Sequence, residues 1–217
     1  MKRVVLLGCV ALACTLEGDG RRISKSRFIM EYFDAIEVFD SFETDVVVDD
    51  TLQVGIGTAV KVSGEGNVLD RLFIGVHAEQ TLSAGVDPNH LTSLTLAPTL
   101  GVRIPVLVKL YADDQTITTV TGGTGEILVE AHDRAVVNMS GVDAGSLTVE
   151  ASDDAAVTLA GAGPALKISA SGAASVDAQG FTAESVTVDA QGSGTVVVCS
   201  VAEPVITGDG VVERRCD

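Results

Sequence analysis

VKLYADDQTITTVTGGTGEILVEAHDRAVVNMSGVDAGSLTVEASDDAAVTLAGAGPALKISASGAASVDAQGFTAESVTVDAQGSGTVVVCS, residues Val108–Ser200, is a repeat written in small residues. From Val108 the pattern restarts at Ile127, Leu147, Leu166 and Val186, at spacings of 19, 20, 19 and 20 residues. Alternate positions are apolar or small, the period of a strand with one buried face. The second column holds Leu110, Val129, Val149, Ile168 and Val188, and the third is alanine in every copy: Ala112, Ala131, Ala151, Ala170 and Ala190. The fourth holds Asp114, Asp133, Asp153, Gly172 and Gly192. Small residues (Thr116, Ala135, Ala155, Ala174, Gly194) follow. Two mostly large columns come next, headed by Thr118 and Val120, and the last column is Gly122, Gly141, Gly161, Gly180 and Ser200. Each copy therefore predicts two short strands around a tight corner at the Asp/Gly column, then a glycine corner. A third short strand or an extended link closes the coil.

A period near 20 residues with strand alternation means stacked coils or a horseshoe. No asparagine column or helical face supports a leucine-rich horseshoe. A parallel β-solenoid fits, because no coil buries its own inner face but stacked coils bury a continuous one. Strands stack about 4.8 Å apart, so like residues sit above like residues and each column holds its size.

The chain opens with a basic Met1-Lys2-Arg3 and an apolar run, Val4–Ala13, too short to span a bilayer. Residues 1–13 read as a signal peptide. Ala11-Leu12-Ala13 before Cys14 fits two cleavage logics at one bond. One is the ordinary small-x-small site; the other resembles a bacterial lipobox, in which Cys14 becomes the lipidated first residue. Residues 14–27 read as a polar tether, the alternative being an ordered strand from about Arg21. Residues 28–217 read as one domain. The four cysteines are Cys9, Cys14, Cys199 and Cys216. Aligning Gly192-Ser193-Gly194 with Gly208-Asp209-Gly210 sets Cys216 one position past the level of Cys199, within reach of a disulfide, which an oxidising compartment would preserve. The alternative is two free buried thiols. Pairing would leave Cys14 over, as a lipid-anchored cysteine should be.

From Phe28 to Pro105 the strand pattern is less regular. Ala35–Phe39 and Thr44–Val48 read as strands around a turn at Asp40-Ser41. Six of the eight aromatics (Phe28, Tyr32, Phe33, Phe39, Phe42, Phe73) lie in this half. They are expected to cap the open end of the solenoid.

Several short segments, in order, resemble the bacterial GIN-domain family, labelled auto-transporter adhesin head domains. They are Phe33–Val38, Gly66–Leu72, Val102–Leu107 and the glycine turns at Gly192–Gly194 and Gly208–Gly210. The resemblance covers roughly residues 28 to 212. It implies a right-handed parallel β-helix, often behind a lipoprotein-type signal, and carries no catalytic residues over. Asp133 and Asp153 stand where the family usually has glycine turns.

Chemistry is sparse. His77, His90 and His132 show no metal-ligand spacing. His132 reads as a surface residue beside Asp133. The formal charge is −16, or −18 without Lys2 and Arg3, which disfavours nucleic acid and other polyanions. Enzymes that cut acidic polysaccharides on β-helices need carboxylates or a cation plus basic groups. Between Val108 and Val212 the basic residues are Lys109, Arg134 and Lys167. Asp114, Asp133 and Asp153 stack in one column. They read as water-facing corner residues, with a Ca²⁺ site as the alternative; no other metal and no cofactor is implied. The expectation is a non-enzymatic exported protein of the bacterial envelope, an outer-membrane lipoprotein or else periplasmic or secreted. It would present a surface to a protein or glycan and meet the membrane through a lipid anchor alone. A β-helix carbohydrate-active enzyme and a purely structural assembly unit are the alternatives.

Overall fold

The computed structural model describes residues 16–55, 58–86 and 92–216. The signal segment, Cys9, Cys14 and His90 lie outside them. The first half contains β1 (Leu16–Glu17), β2 (Arg22–Ile29), β3 (Ala35–Val38), β4 (Glu43–Val48), β5 (Thr58–Glu65), β6 (Leu72–His77), β7 (Thr81–Val86), β8 (Thr92–Ser93) and β9 (Thr99–Ile104). The repeats contain β10 (Lys109–Ala112), β11 (Ile117–Thr121), β12 (Thr124–Ala131), β13 (Val136–Ala151), β14 (Ala156–Ala170), β15 (Ser175–Ala190) and β16 (Thr195–Ser200). The last coil is β17 (Val205–Gly208) and β18 (Val211–Arg214).

The repeats form a parallel β-solenoid. Leu110 pairs in register with Val129, Val129 with Val149, Val149 with Ile168, and Ile168 with Val188. The alanine column pairs in the same way, and all five alanines are buried. On the second wall Thr118, Val137, Val157, Val176 and Val196 stack from β11 to β16. Burying each such aliphatic side chain contributes roughly 1.5–3 kcal/mol. Val108, which heads the first column in sequence, is 44% exposed because Leu107, fully buried, takes the interior where the chain enters the first repeat.

The closing link is not a separate third strand. β13, β14 and β15 run on through the glycine corner for 16, 15 and 16 residues, with register shifts where they bend. Val142 and Ala144 are buried beneath this link, and Phe181 and Ala183 above it. Gly161 and Gly163 lie between. A Cβ on Gly163 would fall 2.6 Å from the Ala144 carbonyl oxygen and 3.2 Å from the Phe181 ring, so the missing side chain admits both.

The first half continues the solenoid, but out of sequence order. β3 and β4 form a coil in register with β10 and β11. β7 and β9 form the next coil outward, on β3 and β4. The chain thus lays its second coil, moves out to its first, and returns to begin the third. The expected aromatic cap does not form as such. Phe33 and Phe42 are core residues, while antiparallel strands cover the end: β2 on β5, β5 on β9, and β6 on β7. Strands suit this place because they satisfy the backbone edge groups, which aromatic rings cannot.

Residues 14–27 are not a free tether throughout. From Arg22 the chain pairs along β5, Arg22 with Glu65 through to Ile29 with Thr58, so the alternative of an ordered strand is what forms. Ahead of it, residues 17–20 are strapped down. Asn67 Nδ2 donates to the Glu17 carbonyl at 2.8 Å, and the Gly20 N–H donates to Glu65 Oε1 at 2.7 Å. Glu65 is 1% exposed. Burial pushes its carboxyl up, but N–H donors from Gly20, Thr95 and Leu96 outweigh this and hold it below the usual range.

At the other end Cys199 and Cys216 form a disulfide with Cα atoms 4.9 Å apart. Val198 pairs with Arg214, which leaves Cys216 one position beyond the level of Cys199.

Candidate functional site: the acidic outer corner

The corner between the two strands of each repeat is a hydrogen-bonded turn. The N–H of Thr116 reaches Asp113 O, Ala135 reaches His132 O, Ala155 reaches Ser152 O, Ala174 reaches Ser171 O, and Gly194 reaches Gln191 O. The first central residue has positive φ in every case: 59° at Asp114, 54° at Asp133, 62° at Asp153, 68° at Gly172 and 66° at Gly192. Positive φ there alone is the II′ pattern, which favours Gly. Successive corners also bond to each other, Arg134 N to Asp114 O at 2.8 Å and Asp154 N to Asp133 O at 2.7 Å. The aspartates are therefore held in a ridge by backbone.

Asp40 extends the ridge to the preceding coil, with φ of 65°. Its N–H donates to Asp114 Oδ2 at 3.1 Å, and its Oδ2 accepts from Val86 N–H at 2.6 Å. The sequence carried a signal for this. Ile36-x-Val38-x-Asp40-x-Phe42-x-Thr44-x-Val46 repeats the template Leu110-x-Ala112-x-Asp114-x-Thr116-x-Thr118-x-Val120. Phe42 in the small column hid the match.

Asp113, Asp114 and Asp133 each bring a carboxylate oxygen within 4.8 Å of the others; Asp153 is not in this trio. A depression of about 220 Å³ is lined by Asp114, Asp133, Arg134, Asp153 and Asp154. The charge of Asp113 raises the Asp133 pKa above its ordinary value, aided by desolvation and by Asp153 and Asp114. Three clustered carboxylates can share a proton or meet a cation; Ca²⁺ takes 6–8 oxygens, of which the trio supplies three at one oxygen each.

Aromatic rings flank the ridge. Phe39 and Tyr111 have centroids 5.6 Å apart, and Tyr111 and His132 are 5.2 Å apart. His132 lies at the surface beside Asp133, half-buried, with Nδ1 2.8 Å from Ser152 Oγ. Tyr111 donates to Asp113 Oδ2 at 2.9 Å. Burial, then that bond and the charge of Asp113, push its pKa up to about 12. Lys109 pairs with Glu130 at 2.8 Å, and Glu37 accepts from Ser83 Oγ at 2.8 Å and lies 3.2 Å from His77 Nε2.

A second depression, about 510 Å³, lies on the outer face of β11, β4, β9 and β5. Two cross-strand rows make it: Ile117, Glu43, Thr99 and Ser63, then Thr119, Asp45, Gly101 and Lys61. Gly101 leaves the gap between Asp45 and Lys61.

These features define a class: a capped parallel β-solenoid whose chemistry is carried along an outer ridge shared by successive coils. The chain belongs to the family described as "Putative auto-transporter adhesin, head GIN domain", whose model matches residues 32–211. The fold is shared with a putative adhesin from Bacteroides fragilis, at 13% identity and a TM-score of 0.76, over 92% of this chain and 100% of that one. A protein described as a putative lipid binding protein, from Parabacteroides distasonis, aligns at 13% identity and 0.68, over 93% and 99%. A putative adhesin from Parabacteroides merdae aligns at 14% and 0.64, again over 93% and 99%. No curated protein matches the chain.

Proposed function

We propose that this chain is a non-enzymatic, exported protein of the bacterial envelope, anchored through a lipidated Cys14, that presents its solenoid surface to a protein or glycan partner. The family match over residues 32–211 supports an adhesin-like module. The observation that carries the reading is the ridge Asp40–Asp114–Asp133–Asp153, which runs over successive coils on an outer corner instead of converging in an enclosed cavity. Extended surfaces of this kind are what stacked coils offer to a partner. Palmitate labelling and cell fractionation of the wild type against Cys14→Ala test the anchor. Label and membrane association should both disappear in the variant; a labelled or still membrane-bound variant refutes it.

A carbohydrate-active enzyme is the second reading, favoured by one observation: Arg134 sits with four carboxylates, one of raised pKa, in the corner depression. Turnover of an acidic polysaccharide that is abolished by Asp133→Asn would establish it in place of the first.

A further inference from the structure

Stacking accounts for Phe33, Phe42 and Phe181, which are buried in the tube. It does not account for Phe39, Phe73 and Tyr111, which stand together on the outer face of the wall made by β6, β7, β3, β10 and β12. One outward row of that face runs Gly75, Ser83, Glu37, Tyr111, Glu130 and Glu150. The row beside it begins with Phe73 opposite Gly85. It continues through Phe39, one position beyond Val38, and His132, one position beyond Ala131. In later coils the same two rows hold Ser169 and Ser171, so the solenoid itself asks for no ring there.

The rings form a connected row. Phe39 and Tyr111 meet at an interplanar angle of 48°, and Tyr111 and His132 at 39°, so neither pair is stacked face to face. Phe39 and Phe73 lie low on the sheet because each leans over a glycine. A Cβ on Gly85 would fall 3.7 Å from Phe39 Cδ2, and one on Gly75 would fall 3.9 Å from the Phe73 ring. Phe73 is 50% exposed, and Phe39, Tyr111 and His132 are half-buried. From β6 to β12 the row crosses four strand steps, about 19 Å at 4.8 Å per step, which suits an oligosaccharide rather than a single sugar. Carboxylates adjoin the rings, with Glu37 and Glu130 on either side of Tyr111 in its own row. The centre of a protein-binding patch is depleted of charge. A sugar uses both groups: its C–H face suits the negative face of an aromatic ring, and its hydroxyls donate to carboxylates. Uronate or sulfate groups would be repelled, in a chain of net charge −16.

We propose that the row Phe73, Phe39, Tyr111 and His132 is a binding strip for a neutral glycan, with its rings against sugar C–H faces and with Glu37 and Glu130 accepting from sugar hydroxyls. This deepens the presented-surface reading above, on which it rests for access to a partner, and commits the partner to a glycan. Tyr111 is central to the strip. Its hydroxyl already donates to Asp113 at 2.9 Å, so it offers the glycan its ring rather than a donor.

The test uses purified, unlipidated Cys14→Ala protein, so a missing anchor cannot account for its outcome. The chain has no Trp and two Tyr, so Tyr32→Phe in the same protein leaves Tyr111 as its one tyrosine and a local reporter. Affinity electrophoresis and Tyr111 emission are measured with soluble β-glucan, xylan and mannan, with polygalacturonate, and with poly-L-lysine. Retardation and a saturable emission change are expected with at least one of the three neutral polysaccharides, and neither with polygalacturonate. Phe73→Ala and Tyr111→Ala should each weaken binding roughly two- to tenfold, and Tyr111→Phe should bind like the parent. Phe28→Ala, which removes an exposed ring from β2 on the other wall, should change nothing. Binding to none of the neutral polysaccharides overturns the glycan strip and leaves the anchored, presented solenoid to its own labelling test. Equal binding of polygalacturonate, binding of poly-L-lysine alone, loss of binding in Phe28→Ala alone, or a bound glycan that leaves Tyr111 emission unchanged also overturns it. Thermal midpoints verify folding, and Tyr111 emission in the parent decides the matter even if a ring variant unfolds.

Discussion

The last coil is the place where one covalent change should have a local and calculable effect. β17 pairs only with β15, and β18 with β16, among the described residues, so the coil has neighbours on one side. Val205, Ile206 and Val211 are 61%, 51% and 53% exposed there. Single backbone bonds such as Val211 N to Gly194 O and Arg215 N to Val198 O, both 2.9 Å, hold it down. The Cys199–Cys216 bridge closes a loop with a sequence separation of 17. Loop-closure entropy for that length is worth about 3 kcal/mol at 25 °C, or about two orders of magnitude in an opening equilibrium. Cys199→Ser/Cys216→Ser is therefore expected to lower hydrogen-exchange protection of the Val211 and Arg215 amides about a hundredfold. The amides of Val149 and Ile168, inside the solenoid, should keep theirs, because each coil contacts only its neighbours. An equal loss at all four sites would refute the picture of a separately stapled terminal coil, and no loss at Val211 would refute the entropic reasoning.

Three further substitutions test the layers. Ala151→Leu forces a large side chain into the buried alanine column and should cost about 1–3 kcal/mol, a fall of roughly 2–12 °C in thermal midpoint for a domain of this size; Glu150→Leu, exposed on the next position, should stay within about 0.5 kcal/mol. Thr118 Oγ1 is buried without a hydrogen-bond partner between Thr44 and Val137, so Thr118→Val should stabilise by about 1 kcal/mol in urea denaturation. The raised pKa of Asp133 means that the folded chain holds this proton more tightly than the unfolded chain. Its contribution is thus fully present below the unfolded pKa and is lost as pH rises through the folded value. Asp133→Asn should flatten that part of the stability–pH profile and raise the midpoint at pH 7; an unchanged profile would show that the neighbouring charges do not act on it.

The solenoid was legible because stacking makes size periodic. Ala112, Ala131, Ala151, Ala170 and Ala190 share a column for the same reason that they share a buried row. The first half resisted because its coils are laid down out of order. Ile36 contacts Leu110 on one side and Leu82 on the other, at separations that no simple repeat relates. Phe42 and Val38 also break the small columns, though both are fully buried. β2 was ambiguous because it is an edge strand. With one paired neighbour and charged residues on both faces, its pattern overlaps that of a solvated tether.

The acidic ridge shows where architecture ends and surface chemistry begins. Gly172 and Gly192 turn the same corner, at the same φ, with the same turn hydrogen bond as Asp114, Asp133 and Asp153. Glycine meets the backbone requirement without a Cβ at positive φ and without charge. The aspartates meet it at the expense of mutual repulsion, visible in the raised pKa of Asp133. Some of that is offset locally, since Asp114 Oδ2 accepts from Asp40 N–H on the preceding coil and Asp40 Oδ2 from Val86 N–H. Among the described residues, Asp133 and Asp153 accept no such backbone bond. Stacking accounts for a turn-former in this column; it does not account for a carboxylate at 133 and 153. Those two positions are consequently where replacement by glycine separates stability from binding. Asp133→Gly/Asp153→Gly should raise the thermal midpoint while weakening whatever cationic or hydrogen-bonding group the ridge receives. A lower midpoint would mean that the carboxylates are structural after all.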